Sequence, residues 1–264
     1  MSAVAAMTNT AGAPQMSLWR LEWLRLIRTP RAISLFAIFA ATGLIEPVLT
    51  RYESTLVRRL SNGARLSLPP PTAADGLNSY VSEATLVGLI VVVILAAGAF
   101  SFDGKPGLAI FLRTRVTSMW QLITPRFTAY ALAAAVAYLV GTLAAWYETR
   151  LLLGSLPVAG LLEGVLCAAV YLMFAVAVTA LAASLARSTI AAAGIAFVIL
   201  LTLPVLGAIR AIQNWLPSAL TNAPVDLVDG AHGLAHFGPA MGIAVGISAL
   251  ALAAAVARLG AREI

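Results

Sequence analysis

The segment DGKPGLAIFLRTRVTSMWQLITPR, residues Asp103–Arg126, lies between two long apolar stretches of the chain. It carries four cations and one carboxylate, in the order Asp103, Lys105, Arg113, Arg115 and Arg126. Positive residues concentrate in the cytoplasmic loops of membrane proteins, where they fix the orientation of the neighbouring helices. The segment therefore predicts a water-exposed cytoplasmic connection between two membrane-spanning helices.

The composition of the whole chain indicates a membrane protein. Of its 264 residues, 61% are hydrophobic and only 11% are charged, with a mean hydropathy of +0.92. A soluble domain usually carries about a quarter charged residues. The net charge of +6 does not indicate nucleic-acid binding, because the charges occur in short flanks between apolar runs rather than on one basic face. The single cysteine, Cys167, excludes an intrachain disulfide.

Six apolar segments are long enough to cross about 30 Å of hydrocarbon as helices. We expect them near residues 32–50, 84–102, 127–147, 161–186, 189–209 and 237–257. The sequence thus predicts an all-α integral membrane protein with six transmembrane helices. Residues 1–15 are expected to form a disordered tail, and residues 16–264 a single transmembrane domain.

The distribution of charge predicts the orientation of these helices. With the N-terminus inside, eleven cations fall on the cytoplasmic side and six outside, whereas three acids fall inside and eight outside. An excess of Lys and Arg marks the cytoplasmic side. Both termini are therefore predicted to be cytoplasmic.

Ahead of the first span, residues 17–29 have the pattern of an amphipathic helix. Trp19 and Trp23 recur at helical spacing on one side, and Arg25 and Arg28 lie on another. This pattern is typical of a helix in the membrane interface, with tryptophans at headgroup depth and arginines toward anionic lipid. The alternative is simply the cytoplasmic start of the first span.

The two long outer connections carry different signals. Residues 51–83 include three consecutive prolines and Asp75-Gly76, which predict an irregular cap. Residues 210–236 alternate apolar residues with Pro and Gly, which predicts short helices near the outer leaflet. Two pairs of glycines, Gly160/Gly164 and Gly242/Gly246, allow a close approach of helices, either within one chain or between two copies.

The chain has no visible energy source of its own. Its only lysine, Lys105, follows Gly104, but Ala99 and Pro106 occupy positions where a phosphate-binding loop needs Gly and Ser or Thr. No ionisable residue lies at the middle of an expected span, as an ion-driven carrier would require. No Ser/His/Asp, Cys/His or paired-carboxylate pattern indicates catalysis. We therefore expect no enzyme activity and no cofactor, but a partner that supplies energy.

The segment Asp103–Arg126 also resembles part of a known protein family. It is similar to the cytoplasmic loop of type-2 ABC exporter permeases. That loop has an acidic residue, a glycine four positions later, a leucine, a Ser-x-Trp pair and a final basic residue. The residues of this chain in the similar stretch are Asp103, Gly107, Leu112, Ser118, Trp120, Leu122 and Arg126. This family also carries an interfacial helix before its first span. It usually has Glu where this chain has Asp103, and here Gly104 and Pro106 intervene before Gly107.

The resemblance implies a permease subunit of an ABC-type exporter in the bacterial plasma (inner) membrane. Its partners would be a separate ABC ATPase, a second copy or a related permease, and membrane lipid. The implied ATPase-coupling residues are Asp103, Gly107, Phe111, Leu112, Arg113, Arg115, Trp120 and Arg126. The alternative is a non-transporting membrane scaffold or assembly factor, and a membrane enzyme ranks third.

Two further groups of residues are candidates for function. Tyr130, Tyr138 and Thr142 share one face of the third span, where they would line a substrate path or pack against a neighbour. His232 and His236, preceded by Asp226, have a spacing that could bind a metal on a helix. Glycine at position 233 argues against a continuous helix there, so an outer-loop turn is the simpler expectation.

Overall fold

The computed structural model describes residues 18–60, 70–101 and 119–261. These residues form helices, and no β-strand occurs among them. The α-helices are α1 Leu18–Ile27, α2 Pro30–Leu60, α3 Ala73–Glu83, α4 Leu89–Phe100, α5 Trp120–Leu152, α6 Val158–Leu185, α7 Thr189–Leu206, α8 Ala223–Val228 and α9 Gly238–Ala261. The expected N-terminal tail lies outside the described residues.

The prediction of six membrane-spanning helices is confirmed. Six helices are long and apolar enough to cross a membrane: Pro30–Glu53, Ala73–Phe100, Trp120–Leu152, Val158–Leu185, Thr189–Leu206 and Leu234–Ala261. The second of these is α3 and α4 joined without a break by a π-helical turn, Ala84–Gly88. Helix α1 precedes them, as the spacing of its tryptophans and arginines predicts.

The prediction of an irregular cap over residues 51–83 is wrong for the residues that the structure describes. Helix α2 continues to Leu60, and α3 begins at Ala73. A capping box starts α3, because the Thr72 side chain accepts a hydrogen bond from the Asp75 amide while the Asp75 carboxylate accepts one from the Thr72 amide. These bonds satisfy amides that would otherwise lack partners at the first turn.

Helix α6 lies at the centre of the bundle. It packs against α4, α5, α7, α8 and α9, and most of its small and aromatic side chains are buried. Helix α2 lies at the edge, packs mainly on α5 and α3, and exposes one apolar side. An apolar surface of this kind suits contact with lipid.

The two ends of the bundle differ. The α1 end holds α1, the starts of α2, α5 and α7, and the ends of α4, α6 and α9. The far end holds the α5–α6 turn and the segment between α7 and α9, where short helical pieces at Gln213–Trp215, Pro217–Thr221, Ala223–Val228 and Leu234–Phe237 follow one another. The prediction of short helices in residues 210–236 agrees with this arrangement.

The first glycine pair is used within the chain. A Cβ atom at Gly160 or Gly164 would lie 2.5 Å from the Leu227 carbonyl oxygen or the Pro224 Cα, so these glycines let α8 lie directly against α6. A Cβ at Gly242 or Gly246 would meet nothing within 4 Å. The two pairs therefore have different surroundings despite their identical spacing.

Candidate functional site

Arg126, in the second turn of α5, contacts two other helices at the α1 end. Its side chain is 5% exposed, and its Nε donates to Glu22 Oε1 of α1 at 2.8 Å. Its Nη1 donates to the Ala99 carbonyl of α4 at 3.0 Å. A guanidinium cannot lose its proton in a protein, so its burial requires acceptors of this kind. Arg126 thus joins α1, α4 and α5.

A second arginine bridges the same region. Arg31 in the first turn of α2 donates from Nη1 to the Tyr130 hydroxyl of α5 at 2.9 Å. Tyr130 lies one helical turn after Arg126 on the same helix, and the Arg31 guanidinium also lies beside Gly98 of α4. We call Glu22, Arg31, Ala99, Arg126 and Tyr130 the arginine site. It connects α1 and α2 to the two helix ends that flank residues 102–118.

An open groove lies beside the arginine site. Trp19 of α1 and Trp120, Gln121, Thr124 and Pro125 of α5 enclose about 360 Å³. The two tryptophans are nearly half exposed, at 47% and 45%. Along α1, Leu26 is buried and Trp23 is half-buried, while Arg25 and Arg28 are exposed. The helix therefore presents one apolar side to the bundle and its arginines outward.

The structure describes only part of the expected coupling segment. Residues Asp103, Gly107, Phe111, Leu112, Arg113 and Arg115 lie outside the described residues. Trp120 begins α5 and is exposed. Arg126 is buried within the bundle, which differs from the expectation of a water-exposed segment up to this residue.

The three residues expected to line a substrate path are buried in the bundle. Tyr130, Tyr138 and Thr142 are each 5% exposed or less. The Tyr138 ring packs 5.9 Å from Phe39 of α2 and 5.8 Å from Tyr80 of α3. The Tyr80 hydroxyl donates to the Tyr138 carbonyl at 3.0 Å. Within one chain these residues make contacts between helices.

A large cavity of about 680 Å³ opens at the far end, between the α3–α4 span, α7 and the short helical pieces. We call it the far-end cavity. Its polar lining includes Ser82, Thr85, Gln213, Asn214, Thr221, Asp226, His232 and His236. Its apolar lining includes Leu86, Leu89, Leu200, Leu201, Pro204 and Phe237. The cavity thus combines an apolar wall with hydrogen-bonding groups.

The two histidines meet at the edge of this cavity. Their rings stack with centroids 4.1 Å apart, and His232 Nδ1 lies 3.9 Å from Asp226 Oδ2. His236 belongs to a short 3₁₀ helix and His232 to the preceding turn, so they do not share a continuous α-helix. In the ranges that the structure describes, no group of three His, Cys, Asp or Glu side chains could hold a metal ion.

No pattern in the sequence indicates Glu22, Thr85 or Tyr171 as candidate functional residues. Glu22 and Arg126 are in contact but are separated by 104 positions in the sequence, and no local sequence pattern predicts such a contact. Thr85 lies in the π-helical turn, and Tyr171 lies at the middle of the central helix. A threonine and a tyrosine inside apolar runs were the only available signals.

Comparison with known proteins gives one distant relative. The chain is 21% identical over 140 residues to the uncharacterized transmembrane protein YxlG of Bacillus subtilis (strain 168). The match covers 52% of this chain and 54% of the relative, so the chain spans about half the length of that protein. No family model matches the chain. No solved structure matches it. The likeness supports a membrane-spanning helical protein.

Proposed function

We propose that the chain is a permease subunit of an ABC-type exporter, driven by a separate ATPase. The observation that supports this most directly is the arginine site. Arg126 ties α1 to the end of α4 and the start of α5, which are the two helix ends on either side of residues 102–118. A partner that moves this segment would act on α1, α4 and α5 together.

The groove beside the arginine site supports the same function. Trp120 lies two positions after residues 102–118 and is 45% exposed, so a partner bound to that segment could reach it. Aromatic residues dominate protein–protein interfaces, whereas charges at the rim contribute little. The segment and the exposed Trp120 are proposed to form the ATPase-coupling surface, and the α1 end is proposed to face the cytoplasm.

Trp120→Ala is the variant that tests coupling. We expect it to weaken association with the ATPase by about 2 kcal/mol, because it removes an aromatic anchor from the interface. The permease is co-expressed with a P-loop ATPase, taken from a neighbouring reading frame if one is present, and the ATPase that co-purifies is quantified at matched permease levels. Arg113→Ala should lose much less ATPase, since a rim charge contributes little.

Trp215→Ala provides the matched control. Trp215 is 56% exposed but lies at the far end, so its replacement should leave the ATPase bound. Wild-type co-purification and substrate-stimulated ATP hydrolysis by Trp120→Ala would contradict the proposed coupling surface. A complete absence of any associated P-loop ATPase would favour the scaffold or assembly-factor alternative.

The orientation can be tested by cysteine labelling in a Cys167→Ala background. Ala261 ends α9 at the α1 end, and Ser155 is exposed in the α5–α6 turn at the far end. We expect a membrane-impermeant maleimide to label Ser155→Cys in intact cells and Ala261→Cys only after permeabilisation. Labelling of Ala261→Cys in intact cells would place the α1 end outside and remove the ATPase-coupling proposal.

A further inference from the structure

The far-end cavity has the size of a small-molecule site. Its volume of about 680 Å³ lies within the range of ligand pockets, which is about 300–1,000 Å³. Such pockets combine mostly apolar walls with a few placed polar groups. The far-end cavity combines apolar and polar lining residues, which come from the α3–α4 span, α6, α7 and the segment between α7 and α9.

The cavity has two chemically different sides. Leu86, Leu89 and Leu201 form an apolar side on the α3–α4 span and α7. Asp226 and the stacked His232 and His236 form a polar side on the far-end helices. Asp226 is the only Asp, Glu, Lys or Arg among the lining residues, all of which belong to the described ranges. The polar side therefore carries one carboxylate, with the His232 imidazole 3.9 Å away, and no arginine or lysine.

Two hydroxyl groups along the wall lack partners. Tyr171 lines the cavity with 4% exposure, and its hydroxyl makes no hydrogen bond within the described part of the chain. Thr85 also lines the cavity, and the described residues offer its side chain no hydrogen bond either. Neither hydroxyl is among the buried unpartnered side-chain atoms of the described residues, which are Trp146 Nε1 and Thr149 Oγ1, so a ligand atom in the cavity can reach each of them.

The helix that carries Thr85 is locally distorted at the cavity. Ala84–Gly88 forms a π-helical turn, and Thr85 and Leu86 from this turn line the cavity. Single π-helical turns inside α-helices occur frequently at functional sites. Here the wider turn contributes one polar and one apolar side chain to the same wall. This distortion is independent of the charge and of the unpartnered hydroxyls.

We propose that the far-end cavity binds an amphiphilic molecule with a cationic, N–H-donating head group. The head lies against the Asp226 carboxylate, and the apolar body lies along Leu86, Leu89 and Leu201. The Tyr171 and Thr85 hydroxyls bond polar atoms between these two sides. This names the substrate class of the permease function proposed above and rests on it for transport, although binding can be measured without the ATPase.

An anionic amphiphile fits the cavity poorly for a physical reason. Its head group would meet the Asp226 carboxylate without a lining arginine or lysine, and like charges at close range repel. A charge-assisted hydrogen bond to Asp226, whose side chain is 39% exposed, should change the affinity about tenfold. The sign of the head group should therefore decide binding.

The test uses the purified full-length chain in phosphatidylcholine nanodiscs and rhodamine 6G as the cationic probe. We expect saturable binding by fluorescence polarisation, weakened about tenfold or more by Asp226→Asn. Asp229→Asn is the matched control, because Asp229 is exposed and does not line the cavity. It should bind rhodamine 6G as the wild type does. Tyr171→Phe should weaken binding less than Asp226→Asn.

An anionic probe completes the design. We expect 8-anilinonaphthalene-1-sulfonate to bind without saturation and without a response to Asp226→Asn. Equal rhodamine 6G affinity of Asp226→Asn and wild type, or saturable preference for the anionic probe, would overturn the ligand proposal. Neither result bears on the co-purification of the ATPase. Conversely, Trp120→Ala should bind rhodamine 6G as the wild type does even if it loses the ATPase. The two proposals can therefore fail separately.

Discussion

Gly141→Leu should prevent stable folding, because α2 and α5 cross in direct backbone contact at this glycine. A Cβ atom at Gly141 would lie 2.5 Å from the Phe39 carbonyl oxygen and 2.6 Å from the Tyr80 hydroxyl. Neither neighbour is the free end of a flexible side chain, since the Tyr80 hydroxyl is held by the Tyr138 carbonyl. Extra atoms in a tight core cost about 1–3 kcal/mol or more. We expect the upper end of this range.

The measurement is the midpoint of heat-induced loss of the monodisperse peak of purified protein in detergent. Gly246→Leu serves as the control, because a Cβ there meets nothing within 4 Å. The control should keep the wild-type midpoint, while Gly141→Leu should yield little monodisperse protein. Gly141→Ala should fall between them. Equal midpoints for the Gly141 and Gly246 variants would show that the close crossing does not hold the bundle together.

Gly141 and Gly246 differ in their tertiary surroundings, which the sequence does not reveal, whereas the membrane spans can be predicted from the sequence. Hydropathy predicted the six spans because a run of about 20 apolar residues has few alternatives to a membrane helix. Spacing predicted that glycines allow close approach, and Gly160 and Gly164 do so with α8. The partner of a small residue depends on the tertiary arrangement, so the sequence left open the choice between α8 and a second copy. Gly141 has no glycine four residues away, and the small residues at that spacing are Ala137 and Ala145.

The error at residues 51–83 has a local cause. Prolines and Asp75-Gly76 indicate a turn, but Thr72 and Asp75 are also the two polar positions of a capping box, which starts a helix. Proline is compatible with the approach to a helix start, where its missing amide is not required. The same residues therefore suit a chain that enters a helix. The capping spacing was the available signal, and the turn propensity was given too much weight.

The arginine site could not be predicted from local patterns. Arg126 has the sequence context of a charge that ends a cytoplasmic loop, and burial of such a side chain is unusual. Its burial depends on Glu22 and on the Ala99 carbonyl, which come from two other helices. A positive side chain near the end of a membrane helix can either be exposed to solvent or be buried in an ion pair. Only the tertiary structure determines which of these two environments it has.

Arg126→Ala should destabilise the chain by about 3 kcal/mol or more, because it removes the close guanidinium and leaves the Glu22 carboxylate beside the exposed Arg25 side chain, 3.9 Å away. Glu22 is itself only 12% exposed, so water cannot fully replace the guanidinium. Glu22→Ala should cost a similar amount for the converse reason. Thermal midpoints of the purified variants report both changes. Arg126→Lys should recover only part of the loss, since an ammonium lacks the planar fork that reaches two acceptors.

The double variant shows whether the pair acts as a unit. If Arg126 and Glu22 stabilise the chain through each other, the double variant Glu22→Ala/Arg126→Ala should lose clearly less stability than the sum of the two single losses. In the double variant neither charge remains unpaired. Arg25→Ala is the control, as Arg25 is 44% exposed and lies 3.9 Å from Glu22. Exposed pairs contribute little, so its midpoint should hardly change. Two results would contradict this: additive losses of stability in the single variants, or an effect of Arg25→Ala as large as that of Arg126→Ala. Either result would mean that apolar contacts such as those of Leu26, rather than this ion pair, hold α1 to the bundle.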